Sequence, residues 1–373
     1  MKVDFYGRFV GENEKKYVED CLQSDLMSPQ GYGKRAKEAA ARALHSTEVL
    51  LTPSCTAALE LAFKTIGLAQ GQEVIMPSFN FPSAANAVIN AGGKPIFCDI
   101  EGETQNISIQ DLENKITDRT RAIVPIHYGG VAADMEKILA IAKKNKLLVV
   151  EDGAQGIGAF WNKIPLGTVG DMGAISFHAT KNITCGEGGL LWTRQEFLDR
   201  ANIHRMHGTN RHNFLNGECD RYTWNMWGSS YIPSEISCAL LLSQLENLDR
   251  VTRHRVKIAQ AYTSVLEKGE KEGKFCLMKI PDYAQYNGHI YYLRFENGKT
   301  RDRVMDNLRG QGIESKSHYF PLHSSPMGQS LGYKPSDLKE SALCFETLLR
   351  LPIHCQMEEN SAREVAQHIL KML

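Results

Sequence analysis

The sequence predicts an α/β fold: a seven-stranded, mainly parallel sheet with helices on both faces, followed by a smaller C-terminal α+β domain. Between about residues 48 and 193, short runs of β-type residues alternate with longer segments whose apolar residues recur every three or four positions. Residues 275–373 then carry their own strand-like and helical pieces. These two observations favour one large domain and one small one.

The predicted strands are short and mostly aliphatic, as expected of a parallel sheet that is covered on both faces. In chain order they are residues 48–52, 73–77, 95–100, 122–127, 147–152, 174–178 and 189–193. The helices between or after them are predicted, from apolar positions at helical spacing, at residues 55–68, 81–91, 109–116, 135–144 and 197–207.

A long amphipathic stretch, residues 237–248 and then 253–266, leads away from the predicted sheet. We therefore expect a large domain over residues 1–245, which includes an N-terminal arm, and a small domain over residues 246–373. No Pro- or Ser-rich linker separates the two parts. They are expected to pack tightly.

Composition indicates a soluble globular protein. The 373 residues are 42% hydrophobic and 23% charged, and the formal net charge is zero. No global field would attract nucleic acid or an anionic membrane. No apolar run approaches the roughly 20 residues of a membrane span, and no signal peptide is evident, so we expect a cytoplasmic location. The nine cysteines contain no Cys-x-x-Cys pair and are expected to be reduced.

Lys181 is the most informative residue. It lies between an apolar strand and Gly186-Glu187-Gly188-Gly189, downstream of Asp152. A lysine amine can form a Schiff base with the aldehyde of pyridoxal phosphate (PLP), and an acidic side chain can hold a proton on the pyridine nitrogen. Most single lysines and aspartates are only solvated charges or helix caps. The prediction of a PLP site therefore depends on the two residues together.

Further candidates follow predicted strands, where parallel sheets bind ligands. The free amides of Cys55 and Thr56, with the Thr56 hydroxyl, can bind a phosphate at a helix start, although such residues commonly only cap the helix. Gln155 follows the same strand as Asp152. Phe81 can lie flat on a cofactor ring or belong to the core.

Other chemistries are disfavoured. His204 and His207 fall on one helix face, but no further ligand is evident nearby, so no metal site is expected. Residues 153–158 read Gly-x-x-Gly-x-Gly rather than Gly-x-Gly-x-x-Gly, and neither a P-loop nor a Gly-x-Ser-x-Gly elbow occurs. A dinucleotide dehydrogenase, a P-loop enzyme and a serine hydrolase are therefore disfavoured.

The chain resembles the DegT/DnrJ/StrS family of sugar-nucleotide aminotransferases, which are fold type I PLP-dependent transferases, over almost its whole length. The motifs that carry the resemblance are residues 51–57, 73–78, 149–155, 176–178 and 186–189. Within the family, the chain is most similar to transaminases that make dTDP-4-amino-4,6-dideoxygalactose, through residues 124–131, 208–211, 222–224 and 228–231.

The resemblance implies a role for each matching residue. Lys181 would hold the cofactor and move the proton, Asp152 would pair with the pyridine nitrogen, and Gln155 would contact the ring hydroxyl. Phe81 would stack on the ring. The cofactor phosphate would be bound by Cys55, Thr56 and Ser176.

Two further implications concern Ser230 and the assembly. Many relatives have an Asn where this chain has Ser230, and that Asn reaches the phosphate bound by the partner subunit; Ser230 would do so with a shorter reach. A homodimer with shared active sites is therefore expected. Relatives that act as dehydratases carry His in place of the lysine, so Lys181 favours transamination.

The expected reaction moves the amino group of L-glutamate to a nucleotide-linked keto sugar, with dTDP-4-keto-6-deoxy-D-glucose and a galacto product favoured by the resemblance. Candidates for substrate contact are Asn210, Arg211, His318, Tyr319 and His323. The alternatives are an aminotransferase for a UDP-4-keto or dTDP-3-keto sugar and, more distantly, a cysteine desulfurase using Cys344 or Cys355. A DNA-binding regulator is disfavoured because no helix-turn-helix or basic extension is present.

Overall fold

A computed structural model describes residues 2–24 and 31–373. Its strands are β1 Val49–Thr52, β2 Glu73–Pro77, β3 Lys94–Cys98, β4 Thr120–Ile123, β5 Leu148–Asp152, β6 Phe160–Trp161, β7 Ile164–Pro165, β8 Met172–Ser176, β9 Gly189–Thr193, β10 Cys276–Leu277, β11 Ala284–Gln285, β12 Tyr291–Arg294 and β13 Leu348–Leu351.

The helices are α1 Glu14–Gln23, α2 Tyr32–Ala43, α3 Cys55–Thr65, α4 Ser83–Asn90, α5 Ile109–Lys115, α6 Met135–Asn145, α7 Gln195–Arg205, α8 Arg211–Leu215, α9 Glu235–Leu245, α10 Leu248–Lys271, α11 Gly298–Gly310, α12 Pro326–Ser330, α13 Lys339–Thr347 and α14 Glu359–Met372. Short 3₁₀ turns cover Tyr128–Gly130 and Leu322–Ser324.

The main sheet has seven strands in the order β1-β9-β8-β5-β4-β2-β3. Its strands pair in parallel except β9, which is antiparallel to both β8 and β1. The predicted mainly parallel, seven-stranded α/β architecture is confirmed. Since the parallel strands end at one edge, the residues that follow them are gathered there.

Alternation along each strand explains why helices cover both faces. Val150 and Ala174 pack in one layer with α3, α4 and α7. Their neighbours in the sequence face the opposite side, where Val149 packs against α6 and Ile175 packs against α2 and α9. Side chains of a strand point to opposite faces in turn, so near-continuous aliphatic runs serve both layers.

Two boundaries differ from the prediction because of proline. The helix predicted from residue 81 begins at Ser83, with Pro82 at its N-cap position, which leaves Phe81 in the preceding turn. The strand predicted at residues 122–127 is Thr120–Ile123. Pro125 has no N–H to donate, and past it only a bridge between Ile126 and Asp152 continues the pairing.

The C-terminal part builds a three-stranded antiparallel sheet, β10-β12-β13, against α10 and α14. Tyr262 and Tyr291 stack in its core with ring centroids 4.9 Å apart. The same core includes Phe79 and Tyr128, which follow strands of the main sheet. The C-terminal part therefore packs on the carboxyl edge of that sheet, and the predicted division at residue 245 falls between α9 and α10.

An N-terminal arm, residues 2–8, lies along the C-terminal part. Val3 forms a parallel bridge with Ile313, and His354 Nε2 donates to the Asp4 carbonyl at 3.0 Å. The amide of Cys355 donates to the Gly7 carbonyl at 3.2 Å. Over the described ranges, no helix is long and apolar enough to cross a membrane.

Candidate active site

A cavity of about 540 Å³ opens at the carboxyl edge of the main sheet, between that sheet and the C-terminal part. Residues that follow the parallel strands line one side, including Ser54, Cys55, Thr56, Asn80, Phe81, His127, Asp152, Gln155, Ser176 and Lys181. The opposite side is lined from the C-terminal part by Arg255, His289, His318, Tyr319, Arg350 and His354. The predicted cofactor residues thus meet in one place, with the exception of Ser230.

Lys181 follows β8 in a turn closed by its own amide, which donates to the His178 carbonyl at 2.9 Å. The next residue anchors the turn, because Asn182 Nδ2 donates to the Asn287 carbonyl at 3.0 Å. Among the described residues, none forms a hydrogen bond or ion pair with the Lys181 amine. Burial lowers the pKa of Lys181, while Cys55 and Asp152 oppose this effect. A larger neutral fraction makes the amine a better nucleophile.

Asp152 is the last residue of β5 and is almost fully buried. Its Oδ1 accepts from the Ala154 amide at 3.2 Å, and its Oδ2 accepts from Asn80 Nδ2 at 3.4 Å. Burial raises the pKa of Asp152, and the Ala154 N–H and the Lys181 charge act against that rise. Burial makes an isolated negative charge on this carboxylate unfavourable, so the carboxylate is well suited to share a proton with a basic nitrogen.

The start of α3 forms an anion-binding turn. The Ser54 hydroxyl caps the helix by accepting from the Ala57 amide at 3.1 Å, while the amides of Cys55 and Thr56 belong to the first turn and have no intrahelical acceptor. Burial raises the pKa of the Cys55 thiol well above its usual value, so the thiol stays neutral and does not repel an anion.

Gly189 brings β9 close beneath this turn. A Cβ at this position would lie 2.3 Å from the Ser54 carbonyl carbon and 2.4 Å from the Cys55 nitrogen. Only glycine permits that approach. Ser176, at the end of neighbouring β8, lines the same part of the cavity.

Gln155 and Phe81 differ in how firmly they are held. Gln155 Oε1 accepts from the Gly129 amide at 2.7 Å, and Nε2 donates to the Tyr319 hydroxyl at 2.9 Å. Phe81 is 58% exposed and faces the cavity, 6.4 Å from the Tyr319 ring. Phe81 is therefore not a core residue and is available to cover a flat ligand.

This donor set fits PLP. The amine of Lys181, the buried carboxylate of Asp152 and the amide-rich start of α3 match the aldehyde, the pyridine nitrogen and the phosphate of the cofactor. All three lie in one cavity, and Phe81 stands open beside them.

Only some of the predicted substrate residues line the cavity. His318 and Tyr319 line the cavity, stacked with ring centroids 3.7 Å apart. His323 does not: it is fully buried, and its Nδ1 lies 2.7 Å from the Ser78 hydroxyl. This placement corrects the expectation that His323 contacts substrate. Its role is to tie the Leu322–Ser324 turn to the end of β2.

Asn210, Arg211 and Ser230 lie outside the cavity of their own chain, on the segment 207–232. Asn210 Oδ1 accepts from the Thr223 amide at 2.8 Å, and Ser230 is exposed in a bridge with Met206. The same segment exposes Trp224 by 79%. The roles expected of these three residues remain predictions that require a second chain.

Sequence reasoning found His318 and Tyr319 on the wall that the C-terminal part supplies, but it missed the other four polar residues there, Arg255, His289, Arg350 and His354. Arg255 is buried and donates to the carbonyls of Gly288 and His289, at 2.9 Å in each case. Burial holds the pKa of His289 well below its usual value, and the neighbouring charge of Lys181 acts in the same direction. Arg350 was the sequence signal that could have indicated this wall, because it is a charged residue within the otherwise apolar strand β13.

Two alternative chemistries find little support in the site. Cys344 is fully buried in the C-terminal core, and Cys355 does not line the cavity. Neither thiol is placed to act as a desulfurase nucleophile. In the part of the chain that the structure describes, no group of three or more His, Cys, Asp and Glu side chains could hold a metal ion.

Comparison with known proteins gives a consistent match. The model of the DegT/DnrJ/EryC1/StrS aminotransferase family matches residues 9–370. The spore coat polysaccharide biosynthesis protein SpsC of Bacillus subtilis is 32% identical, over 96% of this chain and 94% of its own. A GDP-perosamine synthase of Caulobacter vibrioides is 32% identical, over 93% and 92% of the two chains. Among solved structures, the aminotransferase TlmJ of Streptoalloteichus hindustanus superposes with a TM-score of 0.89 at 25% identity, over 99% and 98% of the chains.

Proposed function

The chain belongs to the DegT/DnrJ/EryC1/StrS aminotransferase family, whose members use PLP, and we propose that it transfers the amino group of L-glutamate to a nucleotide-linked keto-deoxysugar. The specific substrate proposed is dTDP-4-keto-6-deoxy-D-glucose, giving dTDP-4-amino-4,6-dideoxygalactose. The observation that carries the proposal is the presence of Lys181 and Asp152 in one cavity with an anion-binding turn.

When bound, PLP supplies an aldehyde that takes up an amino group and a ring that withdraws electrons. Asp152 holds the proton on the ring nitrogen. Lys181 takes the proton from the α-carbon of the amino donor and, in the second half of the reaction, delivers a proton to the sugar carbon. The face on which Lys181 delivers it sets an axial or an equatorial amine.

The charge of the cavity suits an anionic substrate. Lys181, Arg255 and Arg350 line it, whereas its one deeply buried carboxylate among the described residues is Asp152, which would pair with the ring nitrogen of PLP. A nucleotide sugar carries a pyrophosphate, and glutamate carries two carboxylates. Both are attracted by such a field.

A second candidate substrate differs from the first in its nucleotide. The relative from Caulobacter vibrioides is a GDP-perosamine synthase. That likeness favours a GDP-linked 4-keto sugar as the alternative substrate. A UDP-4-keto or dTDP-3-keto sugar would share the cofactor residues and differ in the contacts to base and sugar.

We also propose a homodimer in which the segment 207–232 completes the cavity of the partner. Its aromatic side chains Tyr222, Trp224 and Trp227 are 49%, 79% and 54% exposed, and such a patch is typical of an interaction surface. Ser230 and Arg211, which lie outside their own cavity, belong to the same segment. This arrangement would give both residues a site to act on.

A panel of substrates tests the proposal. The purified protein is loaded with PLP and supplied with L-glutamate and, in turn, the dTDP-, UDP- and GDP-linked 4-keto-6-deoxy sugars and a dTDP-linked 3-keto sugar. Mass spectrometry of the products and NMR of the amine configuration identify the reaction. Amination of the dTDP-4-keto sugar to the galacto product supports the proposal. If only another sugar of the panel is aminated, the aminotransferase function stands and the proposed substrate is wrong.

A further inference from the structure

The cavity has a second carboxylate, Glu187. Among the described residues that line the cavity, Asp152 and Glu187 are the two with acidic side chains. Asp152 is almost fully buried and would pair with the ring nitrogen of PLP, whereas the side chain of Glu187 is 70% exposed. Within residues 2–24 and 31–373, the one ion-pair partner of Glu187 is His178. The Glu187 carboxylate therefore keeps acceptor capacity for a ligand.

Backbone hydrogen bonds fix the turn that carries Glu187. The Cys185 amide donates to the Phe177 carbonyl at 3.0 Å, and the Phe177 amide donates to the Gly188 carbonyl at 2.9 Å. The Cys185 thiol donates to the Glu187 carbonyl at 3.3 Å. The backbone of Glu187 is therefore held between two points of one turn, so its side chain starts from a fixed position beside the cavity.

His178 presents an N–H group to Glu187. The Thr180 amide donates to His178 Nδ1 at 3.2 Å, so Nδ1 carries no hydrogen and the neutral ring has its hydrogen on Nε2. This Nε2 lies 3.5 Å from Glu187 Oε1. His178 thus orients one oxygen of the carboxylate. In the described part of the chain, no side chain or amide donates a hydrogen bond to the other oxygen.

The negative charge of Glu187 restricts what it can bind. L-Glutamate carries two carboxylates and a nucleotide sugar carries a pyrophosphate, and a carboxylate repels all of these anions. What remains are hydrogen-bond donors: the amine of glutamate and the hydroxyls of the sugar.

The position of Glu187 favours the hydroxyls. Of the two carboxylates in the cavity, Asp152 is the one whose charge acts on the pKa of Lys181. The amine of glutamate reacts where Lys181 stands, so a carboxylate that binds this amine is expected to influence Lys181 as well. The sugar hydroxyls lie away from the reacting carbon, and an exposed carboxylate at the side of the cavity is better placed for them.

We propose that Glu187 binds the sugar ring of the nucleotide-sugar substrate by accepting hydrogen bonds from ring hydroxyls, with His178 as the residue that positions the carboxylate. This inference rests on the proposed aminotransferase function and names the part of the second substrate that is recognised. A 4-keto-6-deoxyglucose ring keeps hydroxyls at its second and third carbons. Hydrogen bonds from these groups to an ionised acceptor are stronger than those to a neutral one.

Calorimetry with two unreactive ligands tests the inference. A nucleotide-linked 6-deoxyglucose has no keto group and binds the PLP-loaded protein without turnover, and the free nucleoside diphosphate lacks the sugar. The nucleotide is the one that the substrate panel identifies. Glu187→Ala should raise the Kd of the sugar ligand about 10- to 100-fold and leave the Kd of the nucleoside diphosphate within about twofold. Glu187→Gln, a neutral acceptor, should fall between wild type and Glu187→Ala.

Glu196→Ala is the matched control. Glu196 is exposed at the start of α7 and lies outside the cavity lining. Its loss removes the same charge, and the Kd of both ligands should stay within about twofold. The role of His178 is tested by a double-mutant cycle: His178→Ala should weaken the sugar ligand in the wild type but cause no further loss in Glu187→Ala. A full additional loss would refute the positioning role.

Deoxy analogues of the keto sugar identify the hydroxyl. In Glu187→Ala, the concentration of the parent keto sugar that half-saturates the second half-reaction should rise. For the 2-deoxy or the 3-deoxy analogue, whichever lacks the bound hydroxyl, wild type and Glu187→Ala should differ little, because neither protein can form that hydrogen bond. The concentration dependence for glutamate in the first half-reaction should stay near wild type.

Three results would overturn the inference: an unchanged Kd for the sugar ligand in Glu187→Ala, an equal loss for the free nucleoside diphosphate, or a loss confined to glutamate. Failure of the wild type to aminate any nucleotide sugar would instead refute the proposed function, since binding of the unreactive sugar ligand is measured independently of turnover.

Discussion

Asp152 pairs in register with Ala174 of the adjacent parallel strand, and the chain then runs through Ser176 to Lys181, so that the carboxylate and the amine line the same cavity. Burial disfavours the charged form of each group, and each charge supports the other. Burial and the charge of the other group therefore have opposite effects on each pKa, and this pair suits a cofactor with a basic nitrogen and an aldehyde.

Replacing Asp152 should impair turnover more than binding. Asp152→Asn retains a similar shape but no negative charge, so the proton on the ring nitrogen loses its partner. We expect kcat to fall about 10²- to 10⁴-fold, the range of a lost acid–base contribution, with a smaller loss of PLP affinity. Steady-state kinetics at saturating PLP measure the effect. Asp118→Asn, an exposed aspartate, is the control, and equal rates in both variants would refute the role.

Adding one methyl group at Gly189 should displace the start of α3. The Cβ of Gly189→Ala would overlap the backbone of Ser54 and Cys55, which cannot yield as a flexible side chain does. Stability should fall by about 1–3 kcal/mol, and PLP should bind more weakly because the anion-binding turn moves.

The matched control for that change is Gly310→Ala, at the end of α11, where a Cβ would meet no atom within 4 Å. Alanine there should be neutral or stabilising by about 0.5–1 kcal/mol. Thermal denaturation and a PLP titration of both variants provide the comparison. A Gly189→Ala protein with unchanged melting and unchanged PLP affinity would contradict the packing described.

The protein should lose stability as the pH falls below about 6.5. Burial is the main cause that lowers the pKa of His204, His289, His318, His323 and His354 in the folded chain. These histidines contribute stability above their unfolded pKa of about 6.5, and they lose it as the unfolded chain takes up protons that the folded chain does not.

Urea denaturation of the protein at pH 7.5 and at pH 5.5 measures this loss. Each buried histidine that stays fully neutral lowers the free energy of unfolding by up to about 1.4 kcal/mol for each pH unit below its unfolded pKa. The raised pKa of Asp152 works in the opposite direction at lower pH. His289→Asn should make the pH dependence shallower. A free energy of unfolding that is equal at both values, or higher at pH 5.5, would contradict the assignment.

Mixed dimers test whether the segment 207–232 completes the cavity of the partner. Lys181→Ala and Ser230→Trp should each inactivate the homodimer. A refolded mixture should recover up to about a quarter of wild-type activity, because half of the dimers are mixed and each has one intact site. No recovery in a mixture shown by mass spectrometry to contain mixed dimers would place Ser230 in the site of its own chain.

Much of the fold and the cofactor site was predictable because both depend on local signals. Aliphatic runs of strand length fix the sheet, and residues just past its parallel strands, such as Asp152 and Lys181, must meet at one edge. His323 was misplaced because a histidine beside Pro321-Leu322 gives no sign of whether it faces the cavity or Ser78.

Arg350 was missed for a different reason. It comes from an edge strand of the C-terminal sheet, and its place in the same cavity as Lys181 depends on packing between distant parts of the chain. Such contacts leave no periodic pattern in the sequence. The charge inside β13 was visible in the sequence, but the cavity that it lines was not.

The most direct test of the central claim is to locate the lysine that holds the cofactor. Borohydride reduction of the PLP-loaded protein fixes the cofactor to that lysine, and peptide mass spectrometry identifies it. We predict a single modified peptide that contains Lys181, lost in Lys181→Ala and retained in Lys144→Ala, which alters an exposed lysine of α6. A cofactor fixed to another lysine, or no modified peptide in a protein that binds PLP, would contradict the account.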